Sequence, residues 1–225
     1  MKLKELFEEQ LTVLEKCITI GDFECHTGEF PSYVKFQNTH LIGYFNVEPN
    51  MGLLTLKRAP REITGYFNIN GCHKLKSLEF SPIKITGDYT CCDCNTLESL
   101  DGAPKEVIGE FWCRDCINLT TLEGAPDRVT SDVNIGECNK LKNLEGIGVK
   151  YFKEIGGELT LPENVKYGLL GILKIKNLKN IFIPGSSGDL YKAEKIINKH
   201  LKSGRNINKC KSELEDAGLE EFAKL

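Results

Sequence analysis

Residues 85–106 have the sequence ITGDYTCCDCNTLESLDGAPKE, and residues 107–128 have the sequence VIGEFWCRDCINLTTLEGAPDR. Both stretches place glycine, an aromatic residue, cysteine, leucine and proline at positions 22 residues apart. Because several residue types repeat in one register, the chain is predicted to form a solenoid of 22-residue coils. The leucines alone form two such series: Leu53, Leu75, Leu97, Leu119 and Leu141, and Leu56, Leu78, Leu100, Leu122 and Leu144.

In each unit, two apolar residues separated by one residue follow a glycine, as Phe67 and Ile69 follow Gly65. This alternation predicts a short strand with one buried side and one exposed side. Next comes a position where the chain turns inward, and there a thiol column is expected to satisfy main-chain groups. Proline then favours an extended return without full helices. The thiol column consists of Cys72, Cys94, Cys116 and Cys138.

The units Leu100-Asp101-Gly102-Ala103-Pro104 and Leu122-Glu123-Gly124-Ala125-Pro126 each follow Cys-x-x-Leu-x-x-Leu. They resemble short repeats common in bacteriophage leucine-rich-repeat proteins, and the stretch from Ile196 to Phe222 resembles the tail of that family. The resemblance implies a viral source and a leucine-rich-repeat-like α/β solenoid of short parallel strands.

The pattern divides one continuous structural domain into four parts. Residues 1–16 have apolar residues at helical spacing and predict an N-terminal capping helix. Regular repeats cover 17–146, irregular final repeats cover 147–184, and a helical cap covers 185–225. In the cap, Asp189 is the expected start of one helix, and a second helix is expected over 209–224. The first of these helices is predicted to bury Leu190, Ala193, Ile197 and Leu201.

The composition fits a soluble protein with a core: 40% of the 225 residues are hydrophobic and 27% are charged. The net charge of −3 gives no general attraction to nucleic acid or to an anionic membrane. No apolar run approaches the roughly 20 residues that span a bilayer. The charged N-terminus lacks the apolar stretch of a signal peptide, so we expect a cytoplasmic protein, in the host cytoplasm if the chain is viral.

The cysteines allow two interpretations. Cys91-x-x-Cys94 and Cys113-x-x-Cys116 have the spacing of a four-cysteine zinc ribbon. The repeat explains the same residues as buried apolar and turn positions, and this interpretation is favoured, so we predict neither metal nor cofactor. Cys92 falls on a predicted exposed position, either as a reactive thiol or as a tolerated small residue.

The exposed side of the strands, expected to form a concave surface, is the predicted binding site for a protein partner. Trp112, which shares its predicted column with Tyr44 and Tyr66, and Arg114 are residue types enriched at interface hot spots. The alternative, that the aromatic residues only pack across neighbouring strands, stays open. The predicted site comprises Tyr44, Asn46, Glu48, Tyr66, Asn68, Asn70, Asp88, Thr90, Glu110, Trp112, Arg114, Asp132 and Asn134.

The full predicted face holds seven carboxylates and three cations, so it favours a basic or polar partner and disfavours duplex DNA. Beyond the site residues, the face is expected to include Asp22, Glu24, His26 and Cys92 and, less regularly, Glu158, Thr160, Lys174 and Lys176.

No motif predicts an enzyme: the four histidines share no register, and no phosphate-binding loop or nucleophile motif occurs. The first hypothesis is a protein-binding solenoid, a phage product that engages or inhibits a host or defence protein. The second is a virion or self-assembling protein. The third is an RNA- or ribosome-associated protein that uses the basic segment 174–211, which has ten Lys or Arg residues and two acids.

Overall fold

The chain winds into a parallel β-solenoid of about six turns, which is followed by helices. The computed structural model describes residues 17–21, 23–25, 39–47, 49 and 52–224. The helix predicted over 1–16 lies outside these described residues.

Fifteen short strands form two parallel sheets along the described part of the solenoid. Sheet 1 contains the odd-numbered strands up to β13, and sheet 2 contains the even-numbered strands and β15. In chain order the strands are β1 (Cys17–Ile20), β2 (Phe23–Cys25), β3 (Thr39–Ile42), β4 (Phe45–Val47), β5 (Glu62–Thr64), β6 (Phe67–Asn68), β7 (Lys84–Ile85), β8 (Tyr89–Thr90), β9 (Glu106–Val107), β10 (Phe111–Trp112), β11 (Arg128–Val129), β12 (Val133–Asn134), β13 (Glu154–Ile155), β14 (Glu158–Thr160) and β15 (Asn180–Phe182).

Each regular coil contributes two strands, where the sequence analysis predicted one. Ile63, before the glycine, is buried in sheet 1, and Phe67, after it, is buried in sheet 2. Gly65 joins the two strands with φ of +140°, a conformation that residues with a side chain rarely adopt. A Cβ atom there would lie 2.1 Å from the carbonyl oxygen of Gly43 in the preceding coil. The glycine column is therefore required both by the bend and by the close approach of neighbouring coils.

The predicted buried strand positions form the core of the solenoid. Aromatic rings stack from Phe23 through Phe45, Phe67 and Tyr89 to Phe111, with ring centroids 4.9 to 5.5 Å apart. The leucines of both series lie on the far side of each coil and are at most 2% exposed. The stack and the leucines together fill each coil from its two sides, as the repeat predicts.

The predicted thiol column satisfies main-chain carbonyls at the inward turns. The Sγ atoms of Cys94, Cys116 and Cys138 each donate to a carbonyl oxygen in the preceding coil, at 3.2, 3.2 and 3.0 Å. The accepting residues are Ile69, Cys91 and Cys113. These contacts confirm that the column has a role in folding.

The regular period breaks after Gly146, as predicted. Sheet residues there pair 26 residues apart, as Val133 does with Leu159, whereas Phe111 pairs with Val133 at the usual 22. The longer coil brings Phe152 against Phe111, with ring centroids 5.9 Å apart in an edge-on arrangement. Phe152 is fully buried and lies next to the stack where Val133 replaces an aromatic residue. The inserted segment thus fills volume that the smaller valine leaves in the core.

The helices follow the last coils. They are a 3₁₀ helix (Leu169–Lys174), α1 (Gly188–Lys202) and α2 (Ile207–Asp216). The prediction that Lys174 continues the exposed strand face is wrong, because Lys174 ends a 3₁₀ helix whose buried run has no alternation of buried and exposed residues. In α1, Ala193, Ile197 and Leu201 are buried as predicted, whereas Leu190 is only partly buried and the N-cap is Ser187 and not Asp189. The second helix ends at Asp216 and does not extend to 224 as predicted. None of the described helices is long and apolar enough to cross a membrane.

The outer edge of sheet 2 is occupied by a side chain of α1. Asn198 accepts a hydrogen bond from the main-chain N–H of Ile181 at 2.8 Å and donates to its carbonyl oxygen at 2.9 Å. The amide thereby replaces a neighbouring strand at the edge of β15. Arg205 donates to the carbonyl oxygens of Ile175 and Leu178, which ties the loop between α1 and α2 to the last coil. The end of the solenoid is therefore joined to the helices by polar contacts as well as by packing.

Gly65→Ala tests the glycine column. The new methyl group clashes with the Gly43 carbonyl, so we expect the free energy of unfolding to fall by about 3 kcal/mol or more. Gly21→Ala is the matched control, since Gly21 has φ of +130° but no described atom within 4 Å of an added Cβ. The control variant should lose only about 1 kcal/mol. Equal losses in urea denaturation would contradict the close-approach argument.

One coil carries a matched pair of departures from the repeat. Tyr89 takes the place of phenylalanine in the ring stack, and Ser81 takes the place that Ala59 and Ala103 hold in neighbouring coils. The two buried hydroxyls are 2.9 Å apart and form a hydrogen bond. Burial raises the pKa of Tyr89 well above its usual value, so the phenol stays protonated. The serine therefore satisfies the polar group that tyrosine brings into the core.

Replacing either member of this pair leaves a buried hydroxyl without its partner. We expect Ser81→Ala and Tyr89→Phe each to lower the free energy of unfolding by about 1 to 3 kcal/mol. The double variant should be less destabilised than the sum of the two, because it removes both hydroxyls. Chemical denaturation of all four proteins measures this cycle, and strict additivity would show that the pair does not interact.

Candidate functional site

The outward side of sheet 2, which we call the outer face, carries every described residue of the predicted site. We call the residues that follow the glycine bend the bend column: Tyr44, Tyr66, Asp88, Glu110, Asp132 and Glu158. Outward residues of the strands form the strand column: Asn46, Asn68, Thr90, Trp112, Asn134 and Thr160. Asn70, Cys92 and Arg114 follow the strands, whereas Glu48, Asp22 and His26 lie outside the described residues.

The aromatic residues of the outer face lie in two columns and not in one as predicted. Trp112 pairs in register with Thr90 and Asn134, in the strand column. Tyr44 and Tyr66 lie in the bend column, whose later positions are acidic. Their rings stack in parallel with centroids 4.8 Å apart, and Tyr66 is 40% exposed. The stack accounts for part of their packing, in line with the cross-strand alternative, and leaves an aromatic surface exposed.

Trp112 is half-buried on the outer face. Its indole Nε1 donates a hydrogen bond to Oε2 of Glu110 at 2.8 Å. The indole is thus hydrogen-bonded to an acid of the adjacent column, which restricts the orientation of its ring. A fixed aromatic side chain loses little conformational freedom on binding, which favours its use as an anchor.

The amides of the strand column bind one another. Asn68 donates to Oδ1 of Asn46 at 2.8 Å and accepts from the Thr90 hydroxyl at 2.9 Å. Asn70 accepts from the main-chain N–H of Cys92 at 2.7 Å, and Asn134 accepts from that of Gly136 at 3.0 Å. Asn46, Asn68, Asn70 and Thr90 are therefore part of a hydrogen-bonded ladder between coils, whereas the bond of Asn134 lies within its own turn.

The carboxylates of the bend column have local hydrogen bonds but no cationic partner. Oδ1 of Asp88 accepts from the main-chain N–H of Glu110 at 2.8 Å, and Oδ1 of Asp132 accepts from that of Glu158 at 2.8 Å. Glu158 also accepts from the Asn180 amide. Within residues 52–224, no Lys or Arg lies within 4.0 Å of any of these four carboxylates. Four negative charges on successive coils thus face outward without internal compensation.

Two of the three cations expected on the outer face lie elsewhere. Lys174 is the last residue of the 3₁₀ helix. The main chain of Lys176 forms an isolated β-bridge with that of Glu154, in sheet 1. Arg114 remains, and its guanidinium forms an ion pair with Asp115 at 2.7 Å. That contact raises the pKa of Arg114, and its positive charge is compensated by the carboxylate of Asp115.

Cys92 is buried and not exposed as predicted, with 8% of its surface accessible. Desolvation by this burial raises its pKa to about 11. A thiol with that pKa is almost fully protonated near neutral pH, so it is a poor nucleophile. This burial favours the hypothesis of a tolerated small residue over that of a reactive thiol.

The cysteines with zinc-ribbon spacing occupy core positions. Desolvation raises the pKa of Cys91 from 9.0 to about 12 and that of Cys94 further still. A zinc site requires thiolates, which this burial opposes. The described residues contain no group of three or more His, Cys, Asp or Glu residues arranged to hold a metal ion. All eight cysteines whose side chains are described are free thiols.

The basic segment 174–211 is partly neutralised within the protein. Lys199 pairs with Glu213 at 2.8 Å, Lys192 with Asp189 at 2.9 Å, and Lys211 with Glu215 at 3.7 Å. The guanidinium of Arg205 donates hydrogen bonds to two main-chain carbonyl oxygens. These contacts give less support to a cationic binding surface than the sequence count of ten cations suggested.

The outward side of sheet 1 was not considered in the sequence analysis. Its charged column alternates in sign, and Arg128 contacts both Glu106 and Glu154. The 22-residue period already contains the alternation from Glu62 to Arg128, which a column-by-column comparison of charges would have found, whereas Glu154 follows Arg128 by 26 residues. The members of the column are Glu62, Lys84, Glu106, Arg128, Glu154 and Lys176.

The buried thiols predict a loss of stability at alkaline pH. An unfolded thiol ionises near pH 9, whereas Cys91 in the folded chain ionises near 12. Between these values the unfolded state binds fewer protons, so the free energy of unfolding falls as pH rises. We expect Cys91→Val, which matches Val47 in an earlier coil, to reduce the loss by up to about 1.4 kcal/mol per pH unit. Urea denaturation at pH 8, 9 and 10.5 measures the effect, and identical pH profiles would contradict it.

Comparisons of this chain with protein-family models, with curated proteins and with solved structures found no match.

Proposed function

We propose that this protein is a non-enzymatic binding protein whose outer face on sheet 2 holds a basic segment of another protein. The observation that carries the proposal is the bend column, where Asp88, Glu110, Asp132 and Glu158 repeat one charge on successive coils. Like charges at the spacing of neighbouring strands repel one another. A cationic partner would remove that repulsion, and charge complementarity of this kind gives both specificity and rapid association.

The contrast with sheet 1 supports this choice of face. There the charged column alternates in sign, and Arg128 lies between two glutamates. One molecule thus contains a column whose charges compensate within the chain and a column whose charges do not. A cationic partner would therefore lower the electrostatic energy of the bend column more than that of the charged column on sheet 1.

The aromatic residues supply the apolar part of the proposed contact. The stacked ring of Tyr66 and the held indole of Trp112 flank the start of the acidic row. Tyrosine and tryptophan at such positions are frequent anchors in interfaces. A partner segment with an apolar or aromatic residue followed by Lys or Arg residues fits this order of side chains.

The resemblance of the repeats to bacteriophage leucine-rich-repeat proteins supports further parts of the proposal. We propose a leucine-rich-repeat-like solenoid whose C-terminal helices act as a cap, and a phage product that engages or inhibits a host or defence protein. The contacts of Asn198 with Ile181 support the capping role, since they occupy a strand edge that would otherwise be open.

The proposal is tested by neutralising the acidic row without removing its local acceptors. The variant is Asp88→Asn/Glu110→Gln/Asp132→Asn/Glu158→Gln, in which each amide still accepts the hydrogen bond seen in the structure. In an affinity pull-down from cell lysate with mass spectrometry, we expect a basic protein retained by the wild type to be lost. A Tyr44→Ala/Tyr66→Ala/Trp112→Ala variant should lose the same protein, and added salt should weaken its binding.

The matched control changes the same number of charges elsewhere on the surface: Glu79→Gln/Glu98→Gln/Asp101→Asn/Glu123→Gln, all at exposed positions. Circular dichroism checks that every variant is folded. Loss of the partner by both quadruple variants would show that only net charge matters. Equal recovery by wild type and both outer-face variants would refute the proposed site.

A further inference from the structure

A corner of the solenoid away from the outer face departs from the repeat. The chain turns there between the second leucine of a unit and the next proline, and the turn closes with a hydrogen bond to the leucine carbonyl. The bond from Ala103 to Leu100 and the bond from Ser81 to Leu78 both measure 3.0 Å. The third residue of this turn has positive φ: +90° at Gly102 and +71° at Phe80. Phe80 thus occupies a conformation that the following coils give to glycine, whereas its equivalent in the preceding coil, Arg58, does not have positive φ.

Phe80 has no evident folding reason to be there. An aromatic residue in the left-handed region is an outlier that costs free energy. Its ring is 46% exposed, so burial does not compensate for the strain, and Ile83 beside it is 51% exposed. Gly102 and Gly124 show what the repeat requires, because a Cβ there would lie 2.2 and 2.3 Å from the preceding coil. Strain that persists without a packing benefit is typical of functional positions.

The two exposed apolar residues line a surface pocket of about 350 Å³. Lys57 and Arg61 line the same pocket, both exposed, and neither forms an ion pair with residues in the described part of the chain. No acidic side chain lines it. The corner therefore combines an apolar floor with two cations, a charge opposite to that of the outer face.

We infer that this corner is a second docking site, which takes a protein segment with an apolar side chain flanked by carboxylates. The apolar side chain packs on Phe80 and Ile83, and the carboxylates pair with Lys57 and Arg61. The charge of the pocket selects this occupant over a basic segment, which the outer face is proposed to take. The inference does not depend on the proposed function, because the two sites share no residue.

The test titrates ¹⁵N-labelled full-length protein with the blocked synthetic peptide Glu-Asp-Leu-Phe-Asp-Glu and with a control peptide whose acids are replaced by lysine. We expect chemical-shift changes around Phe80 and Ile83 with the acidic peptide alone. Phe80→Gly introduces the residue that the following coils use, so it should weaken binding about tenfold without lowering the thermal midpoint. Lys57→Glu/Arg61→Glu should abolish binding, and Ile117→Ala, at a distant residue that is 48% exposed, should leave it unchanged.

Several outcomes would overturn the inference. Equal binding of the acidic peptide by the wild type and Phe80→Gly would show that the ring is not an anchor. Equal binding of the lysine peptide would show that charge does not select the occupant, and a lower thermal midpoint of Phe80→Gly would show that the phenylalanine serves the fold. Self-association that Phe80→Gly removes, seen as concentration-dependent mass, would identify a second copy as the occupant instead. Loss of the basic partner in the Trp112 variant is independent of all these results.

Discussion

The stacking of one coil on the next, in parallel hydrogen-bonded register, is the constraint on which the structure depends. Strands in such a ladder are about 4.8 Å apart, so each residue lies against its equivalents in the coils before and after it. The bend at Gly65 keeps this distance, because only hydrogen fits between its Cα and the Gly43 carbonyl. Equivalent residues of successive coils consequently form columns. The contacts of a side chain depend mainly on the residues at the same position in the coils before and after it.

Columns explain why departures from the repeat occur in compensating sets. Tyr89 brings a hydroxyl into the ring stack, and Ser81 of the same coil satisfies it. Val133 shortens the stack, and Phe152 from the longer coil packs beside it against Phe111. A close-packed interior tolerates neither an unpaired polar group nor a void, so one change requires another nearby. Substitutions at outward positions face no such requirement, and their pattern carries more information about function.

The sequence predicted the parts of the fold that depend on repetition: the coil length, the buried strand pairs, the thiol column and the break after Gly146. It did not predict the strands of sheet 1, because Ile63 is the only apolar residue of its strand and a single apolar residue shows no alternation. In the site, the 22-residue count already separates Tyr66 from Trp112, whose shared column was an error of register. The burial of Cys92 could not be predicted from the alternation along its strand, which assigns the residue to the exposed side.

Exposure on a strand face is not sufficient evidence for function in a stacked fold. Asn68 is outward-facing, yet its amide joins Asn46 to Thr90 and contributes to the ladder that holds the coils. A functional interpretation is stronger for groups whose interactions remain incomplete within the chain. The bend-column carboxylates meet this criterion through uncompensated charge, and Phe80 meets it through strain without burial. Since the two proposed sites have opposite charge and share no residue, we expect the solenoid to bind two chemically distinct segments without competition between them.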